Sequence, residues 1–246
     1  MTGPARGLRG SVPSGSMAGM VVVSLTSIPP RFATLGPTLE SLLAQRPAPD
    51  EVLLCLPRHY RRFPEPVVPP PLPAGVRLVR SEDDPGPVLK LLPALREVGG
   101  AGHDLVVCDD DWLYGPGWLA ALLGARRPGV AVAGSSFPVR RLKRQGPPIA
   151  QGFAGLLLNA GMFDEALFHP PPEAWSVDDV WISGQLARRG VPLVEAPAAR
   201  RAITPRSALD ALQDAALDGL NRAAANRACA DWLHDRHGIW PPLERR

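Results

Sequence analysis

Residues 104–111 read Asp-Leu-Val-Val-Cys-Asp-Asp-Asp, an apolar run that stops at three consecutive carboxylates. Leu105, Val106, Val107 and Cys108 show no polar alternation. The run therefore predicts a strand covered on both faces, as in a parallel sheet between two helical layers. Asp109, Asp110 and Asp111 then fall at its carboxyl end, the edge of an open α/β sheet at which ligands bind. Adjacent carboxylates repel one another unless positive charge is held between them. A hard divalent cation meets that need, because it prefers carboxylate oxygen and leaves positions open for phosphate oxygens. Asp109 and Asp111 have the period-two spacing that places them on one side of an extended chain. A helix cap with a solvated turn also favours Asp, and a strand-end Asp can be a phosphate-accepting nucleophile.

The rest of the chain fits the sheet that this strand demands. Strands are predicted over 20–25, 51–56, 76–79, 130–133, 152–158 and 191–195, from β-branched or apolar runs bounded by Pro and Gly. Leu35, Leu39, Leu42 and Leu43 recur at helical spacing. Pro87, after a turn of acids, Pro and Gly, opens a second helix with Lys90 on its first turn, and 118–125 forms a third after a turn over 112–117. A short helix is expected over 161–168 and a longer one from 176 to 189, stopped by Gly190. Residues 64–73 form an extended proline-rich loop, and 135–146, with Arg140, Arg141, Lys143 and Arg144, a flexible basic loop. The order of elements predicts an α/β fold with a doubly wound, mostly parallel sheet and helices on both faces. Residues 1–16 are expected to be a disordered tail, 17–206 the catalytic domain, and 207–246 a C-terminal helical segment packed on it.

Composition narrows the classes. At 246 residues and 45% hydrophobic content, the chain can bury one substantial core. A net charge of +3 permits an anionic ligand without requiring nucleic acid, so no nucleic-acid partner is expected. Cys55, Cys108 and Cys229 lie in apolar or helical runs and read as buried thiols in a reducing compartment, hence a cytoplasmic protein. No run approaches the roughly 20 apolar residues of a membrane span.

Other residues can carry chemistry. Lys90 on a first helical turn opposes the helix dipole, which points to an anion nearby, although a solvated lysine is the plainer reading. Asp178 and Asp179 open a helix, where acids suit the dipole, and a paired carboxylate is also what a general base requires. Asp84 suits a ligand contact or a turn cap. Gly152 and Gly155 in a strand imply close approach by another group. Trp112, Tyr114, Trp175 and Trp181 can stack on sugar faces or pack in the core. The basic loop can gate a ligand, bind an acidic partner or touch an anionic membrane surface.

Four blocks together carry a resemblance. Residues 23–31 (Val-Ser-Leu-Thr-Ser-Ile-Pro-Pro-Arg), 84–90 (Asp-Pro-Gly-Pro-Val-Leu-Lys), 109–114 (Asp-Asp-Asp-Trp-Leu-Tyr) and 177–181 (Val-Asp-Asp-Val-Trp) resemble successive blocks of bacterial, family 2-like glycosyltransferases of the GT-A superfamily. The likeness covers roughly residues 20–195. It implies a UDP- or GDP-type sugar donor, a carbohydrate or other hydroxyl acceptor, and manganese or magnesium. By resemblance, Asp109 and Asp111 hold the metal, while Thr26, Arg31, Asp84, Lys90 and Asp110 contact the donor. Asp179, with Asp178, would then be the catalytic base of an inverting reaction. A late histidine completes the metal shell in some relatives, which makes His169, His234 and His237 candidates. A nucleotidyltransferase is the alternative enzyme, but no Gly-rich basic loop follows the first strand. A non-catalytic sugar-nucleotide-binding protein is a third reading, against which the intact acids argue.

Overall fold

The computed structural model describes residues 19–63, 66–99, 102–206 and 221–244. The expected tail over 1–16 and the first part of the C-terminal segment, 207–220, lie outside the described residues. Seven strands form the central sheet: β1 (Val21–Thr26), β2 (Glu51–Pro57), β3 (Val76–Ser81), β4 (Asp104–Val107), β5 (Ala131–Ala133), β6 (Leu156–Leu158) and β7 (Leu193–Glu195). Their order is β7-β5-β6-β4-β1-β2-β3. Neighbours pair in parallel except β6, which runs antiparallel to both β4 and β5. The mostly parallel α/β sheet expected from the sequence is therefore present.

Period-two geometry divides the buried strand residues between two layers. Val22, Leu53, Leu105 and Val107 face one core with α2 (Leu92–Val98), α4 (Asp178–Arg188) and α5 (Arg222–His237). Val23, Leu25, Leu54, Val106 and Cys108 face the other with α1 (Gly36–Leu43) and α3 (Trp118–Gly124). Covering both faces explains why these strands lack polar alternation. Cys55, Cys108 and Cys229 are free and buried in these layers. No helix among the described residues is long and apolar enough to cross a membrane.

Several local expectations are corrected. The helix expected to open at Pro87 is instead a 3-10 turn, Gly86–Lys90, followed by a separate α2. Pro93 lacks an amide hydrogen and would fall inside a helix opened at Pro87, so the chain instead starts a new helix at Leu92 with Pro93 in its first turn. Lys90 therefore ends a turn and does not begin a helix. Trp112–Tyr114 is a short strand paired with Ile203–Pro205, a partner too distant in sequence for a local pattern to reveal. Gly152–Ala154 is a 3-10 turn, which shortens the strand expected over 152–158 to β6. The helix expected over 161–168 is two 3-10 turns, Ala160–Met162 and Glu165–Phe168.

The basic segment is ordered, contrary to expectation. Ser136–Phe137 pairs with Ile149–Ala150, and Val139–Leu142 forms a 3-10 turn. Arg144 is buried, ion-paired with Asp231 of α5 and hydrogen-bonded to the Trp240 carbonyl at 3.1 Å. Charge that looked solvated is thus used to tie the C-terminal helix to the domain.

Gly155 holds β6 against α3. Its φ is +93°, and an added Cβ would lie 2.6 Å from Trp118 Cζ2. Gly155→Ala should therefore destabilise the fold by about 2–4 kcal/mol in urea denaturation, from overpacking plus backbone strain. An unchanged midpoint would mean that α3 shifts without cost.

Candidate functional site

The strand order changes direction between β1 and β4, which lie side by side while their connections depart to opposite sides of the sheet. In register, Ser24 pairs with Val107, so both chains leave the sheet at one level. Outside these ends lies a cleft of about 530 Å³, lined by Thr26, Arg31, Lys90, the acidic triplet and the Asp178–Asp179 pair. Such a switch point is where open α/β sheets bind ligands.

The three triplet acids have different surroundings. Asp110 is turned inward: one oxygen accepts from Ser27 Oγ at 2.5 Å, and the other meets Arg31 Nη1 at 2.5 Å. The loop backbone is fixed too, because Thr38 Oγ1 lies 3.0 Å from the carbonyls of both Asp110 and Trp112. Arg206 N–H donates to the Asp111 carbonyl at 2.8 Å. Asp111 lies 3.5 Å from Arg31 through Oδ2, while its Oδ1 is buried with no hydrogen-bond partner among the described residues. Burial, then repulsion from Asp109 and Asp110, pushes the Asp111 carboxyl up to about 6. Asp109 keeps a side chain 35% exposed, with Oδ1 against the Lys90 ammonium. Tyr114 supports this turn, its hydroxyl donating to the Asp109 carbonyl at 2.9 Å and accepting from the Asp109 N–H at 3.0 Å.

Lys90 is buried, and its Nζ lies between Asp109 and Asp178, 2.8 Å from Asp178 Oδ2. Burial alone would lower its pKa, but the charges of Asp109, Asp178 and Asp179 hold it well above the usual range. The ammonium therefore stays charged in the core. Ser24 Oγ donates to the Lys90 carbonyl at 2.6 Å, fastening the turn to β1. Asp179 Oδ1 accepts the Gly152 N–H at 2.9 Å. Burial and then repulsion from Asp178 push its carboxyl up to about 7. Asp178 moves the other way, because Lys90 and Arg222 outweigh burial and hold it below the usual range.

The glycine signal is resolved by the same contacts. A Cβ on Gly152 would come 2.8 Å from Lys90 Nζ and 3.2 Å from Asp179 Oδ1, so the close approach is made by the site's own charges. At Gly155 it is made by Trp118.

Thus the structure brings Thr26, Arg31, Asp84, Lys90, Asp109, Asp110, Asp111, Asp178 and Asp179 to one cleft. Two have other duties than expected. The Asp110 carboxylate is taken up by Ser27 and Arg31. Asp84 caps its own turn, accepting from Gly86 N–H at 2.9 Å and Arg61 N–H at 2.8 Å. None of the three candidate histidines lines the cleft. His169 is exposed beside Glu165, His234 Nδ1 lies 3.0 Å from the Ile239 carbonyl, and His237 packs on Trp232. Trp112 and Trp175 line the cleft, whereas Trp181 and Tyr114 are buried. Arg140, Arg141, Lys143 and Arg144 are not among the lining residues. Ser27, Phe153, Arg206 and Arg222 are cleft residues that sequence reasoning missed. Ser27 was readable as a neighbour of Thr26, but nothing local marked the others.

The donor set fits a divalent cation supplied with its ligand. Among the described residues no group of three or more His, Cys, Asp or Glu is arranged to hold a metal. Two carboxylates with substrate phosphates are a common way to hold magnesium, and carboxylate oxygen suits manganese equally. Asp109 and Asp111 would be the two ligands, and the unpartnered Asp111 Oδ1 is the observation that supports this fit.

The strained pair should register in stability. The folded chain keeps the Asp179 proton up to about 7, whereas an unfolded chain releases it near the ordinary value of about 3.9. Between these values the folded state binds more protons, so this contribution to stability declines as pH rises through the window. In chelator, Asp179→Asn should be more stable than the parent at pH 8, by roughly 1–3 kcal/mol, with the gap closing below about pH 4. Thermal or urea denaturation at the two pH values measures it, and a variant less stable at pH 8 would refute the burial of charge at this position.

No family model matches the chain, and no curated protein matches it significantly. Solved structures do. A mannosyltransferase from Pyrobaculum calidifontis, solved with GDP-Man and Mn2+, aligns at 20% identity over 76% of this chain, with a TM-score of 0.50. The chain spans only 57% of that protein's length. Glucosyl-3-phosphoglycerate synthase from Mycobacterium tuberculosis, solved with Mn2+, UDP and glucosyl-3-phosphoglycerate, aligns at 15% identity over 95% of this chain and 87% of its own, with a TM-score of 0.50. With the sheet order and the switch-point cleft, these similarities show that the chain has the GT-A fold of nucleotide-sugar glycosyltransferases.

Proposed function

We propose that the chain is a glycosyltransferase that moves a sugar from a UDP- or GDP-type nucleotide sugar to an acceptor hydroxyl, with inversion at the anomeric carbon. One observation carries the reading: the buried Lys90 ammonium joins Asp109 of the triplet to Asp178 of the helix-start pair. Charges suited to a leaving diphosphate and a carboxylate suited to a base thereby face one cleft.

Asp109 and Asp111 would hold a divalent cation, which would supply positive charge against the donor diphosphate. Lys90 adds its own charge from within the cleft, so that negative charge developing on the leaving oxygen is met by a preorganised cation. Thr26 lines the donor side of the same cleft. Arg31, fastened to Asp110, keeps the loop after β1 against the triplet. Asp179 takes the proton of the acceptor hydroxyl as that oxygen bonds to the anomeric carbon and the bond to the diphosphate oxygen breaks. Its elevated pKa gives it base strength near neutrality, and Asp178, held ionised by Lys90, is its positioning partner. The mannosyltransferase and the synthase, each solved with Mn2+ and a nucleotide ligand, support this class of donor and metal.

In thermal-shift measurements, UDP or GDP with manganese should raise the melting temperature, and Asp109→Ala or Asp111→Ala should remove the metal-dependent part. Equal stabilisation without metal, or in both variants, would overturn the metal assignment. With a competent donor and acceptor, Asp179→Asn should lower kcat by about 10²–10⁴-fold while nucleotide binding persists. NMR of the product should show inverted anomeric configuration. Retention would remove Asp179 from the role of base.

A further inference from the structure

Arg62 lines the cleft from the loop after β2, and its Nη1 is buried with no hydrogen-bond partner among the described residues. A buried donor left unmatched costs the desolvation of its N–H groups. The guanidinium rests on Phe63, with Cζ 5.2 Å from the ring centre. That contact orients the cation but offers its N–H groups no in-plane acceptor. Nothing in the described fold therefore uses this donor, although the residue faces the space in which a ligand binds.

Contacts place Arg62 relative to the reacting groups. Ser27 Oγ donates to Asp110 at 2.5 Å, and the Ser27 carbonyl accepts from the Tyr60 hydroxyl at 3.0 Å. The Tyr60 ring meets Phe63 edge-on at 6.0 Å, and Phe63 carries Arg62. A whole tyrosine side chain thus lies between the triplet and Arg62 on this path. The strands that feed the two loops are β4 and β2, with β1 between them. Two strand spacings amount to roughly 10 Å. β2 also runs on to Pro57, two residues past the pairing of Cys55 with Thr26, so its loop stands above the sheet edge. Asp179 is reached from the triplet by another route, through Lys90, which meets Asp109 and lies with Asp179 against Gly152. A nucleotide sugar carries its sugar on one phosphate and its nucleoside on the other. With the sugar end at Asp179, the nucleoside follows the Tyr60 path, and that length passes the ribose and ends at the base.

We infer that Arg62 reads the base of the donor and that this base is guanine, its O6 and N7 accepting two N–H groups of the guanidinium. This inference rests on the glycosyl-transfer reading of the same cleft. Arginine only donates, and it presents its N–H groups as a planar fork. Guanine sets two acceptors side by side at the spacing of that fork. Adenine replaces O6 with an amino group, so that donor would face donor. Uracil offers one carbonyl oxygen beside a C–H on the corresponding edge, which leaves half of the fork unmatched. Arg62 therefore selects among donors and takes no part in the transfer step.

Calorimetric titration of the full chain with manganese present tests this, using GDP, UDP, ADP and the GDP analogue in which a C–H replaces N7. GDP should bind roughly ten-fold or more tightly than UDP or ADP, and the analogue should lose most of that advantage. Arg62→Ala should lower GDP affinity by a similar factor and erase the preference over UDP, while Arg62→Lys, which lacks the fork, should keep only part of it. The analogue is measured on the parent chain, so it decides the matter even if Arg62→Ala fails to fold. UDP or ADP binding as tightly as GDP, an analogue that matches GDP, or a folded Arg62→Ala that keeps the preference would each overturn the base assignment and leave donor binding intact. If none of these nucleotides binds with manganese, the glycosyltransferase reading fails, and the base assignment with it.

Discussion

A lysine ammonium buried among acids is the interaction on which the site depends. Placing Lys90 in the core is tolerable only because Asp109 and Asp178 surround it, and those acids come from opposite halves of the chain. Asp109 follows β4, whereas Asp178 begins α4. One ammonium thus registers two sheet-edge loops against each other. With Asp179 nearby the cluster still has excess negative charge, which is why one of its carboxyls retains a proton so far above the ordinary range.

The sheet makes that meeting possible. Parallel strands bring all their carboxyl ends to one edge, and the reversal of order between β1 and β4 opens a crevice there without any loop crossing it. The antiparallel β6 has a separate effect. It enters the sheet from the site edge, so the Gly152 turn that precedes it lies beside Lys90 and Asp179. A parallel strand in the same place would present its trailing end to the cleft. The backbone N–H that steadies Asp179 comes from this reversal.

Much of this was legible in residue order, and the reasons are local. The unbroken apolar character of residues 105–108 announced a strand covered on both faces, and the acids after it announced the edge. Asp178 and Asp179 were visible as acids at a helix start. What could not be read depended on distant partners. Asp110 looked equivalent to its neighbours until Ser27 and Arg31 claimed its oxygens. Arg144 looked solvated until Asp231 buried it. Arg206 and Arg222 carry no local pattern at all, because their place in the cleft comes from the return of the C-terminal part of the chain.

That return has a kinetic meaning. The hydrogen bond from Arg206 to the Thr34 carbonyl spans 172 residues, whereas β1 meets β2 across a few tens of positions, as Val22 opposite Glu51 illustrates. Contacts between remote segments require the larger loop-closure entropy and belong to the slow end of a topology. The parallel centre of the sheet can therefore assemble from residues 21–107, while the loop that carries the acids acquires its final clamp only once Arg206 has been made. During synthesis, a chain that has released β4 from the ribosome holds the acids without the clamp, so the capacity to bind charge precedes the geometry that makes it selective.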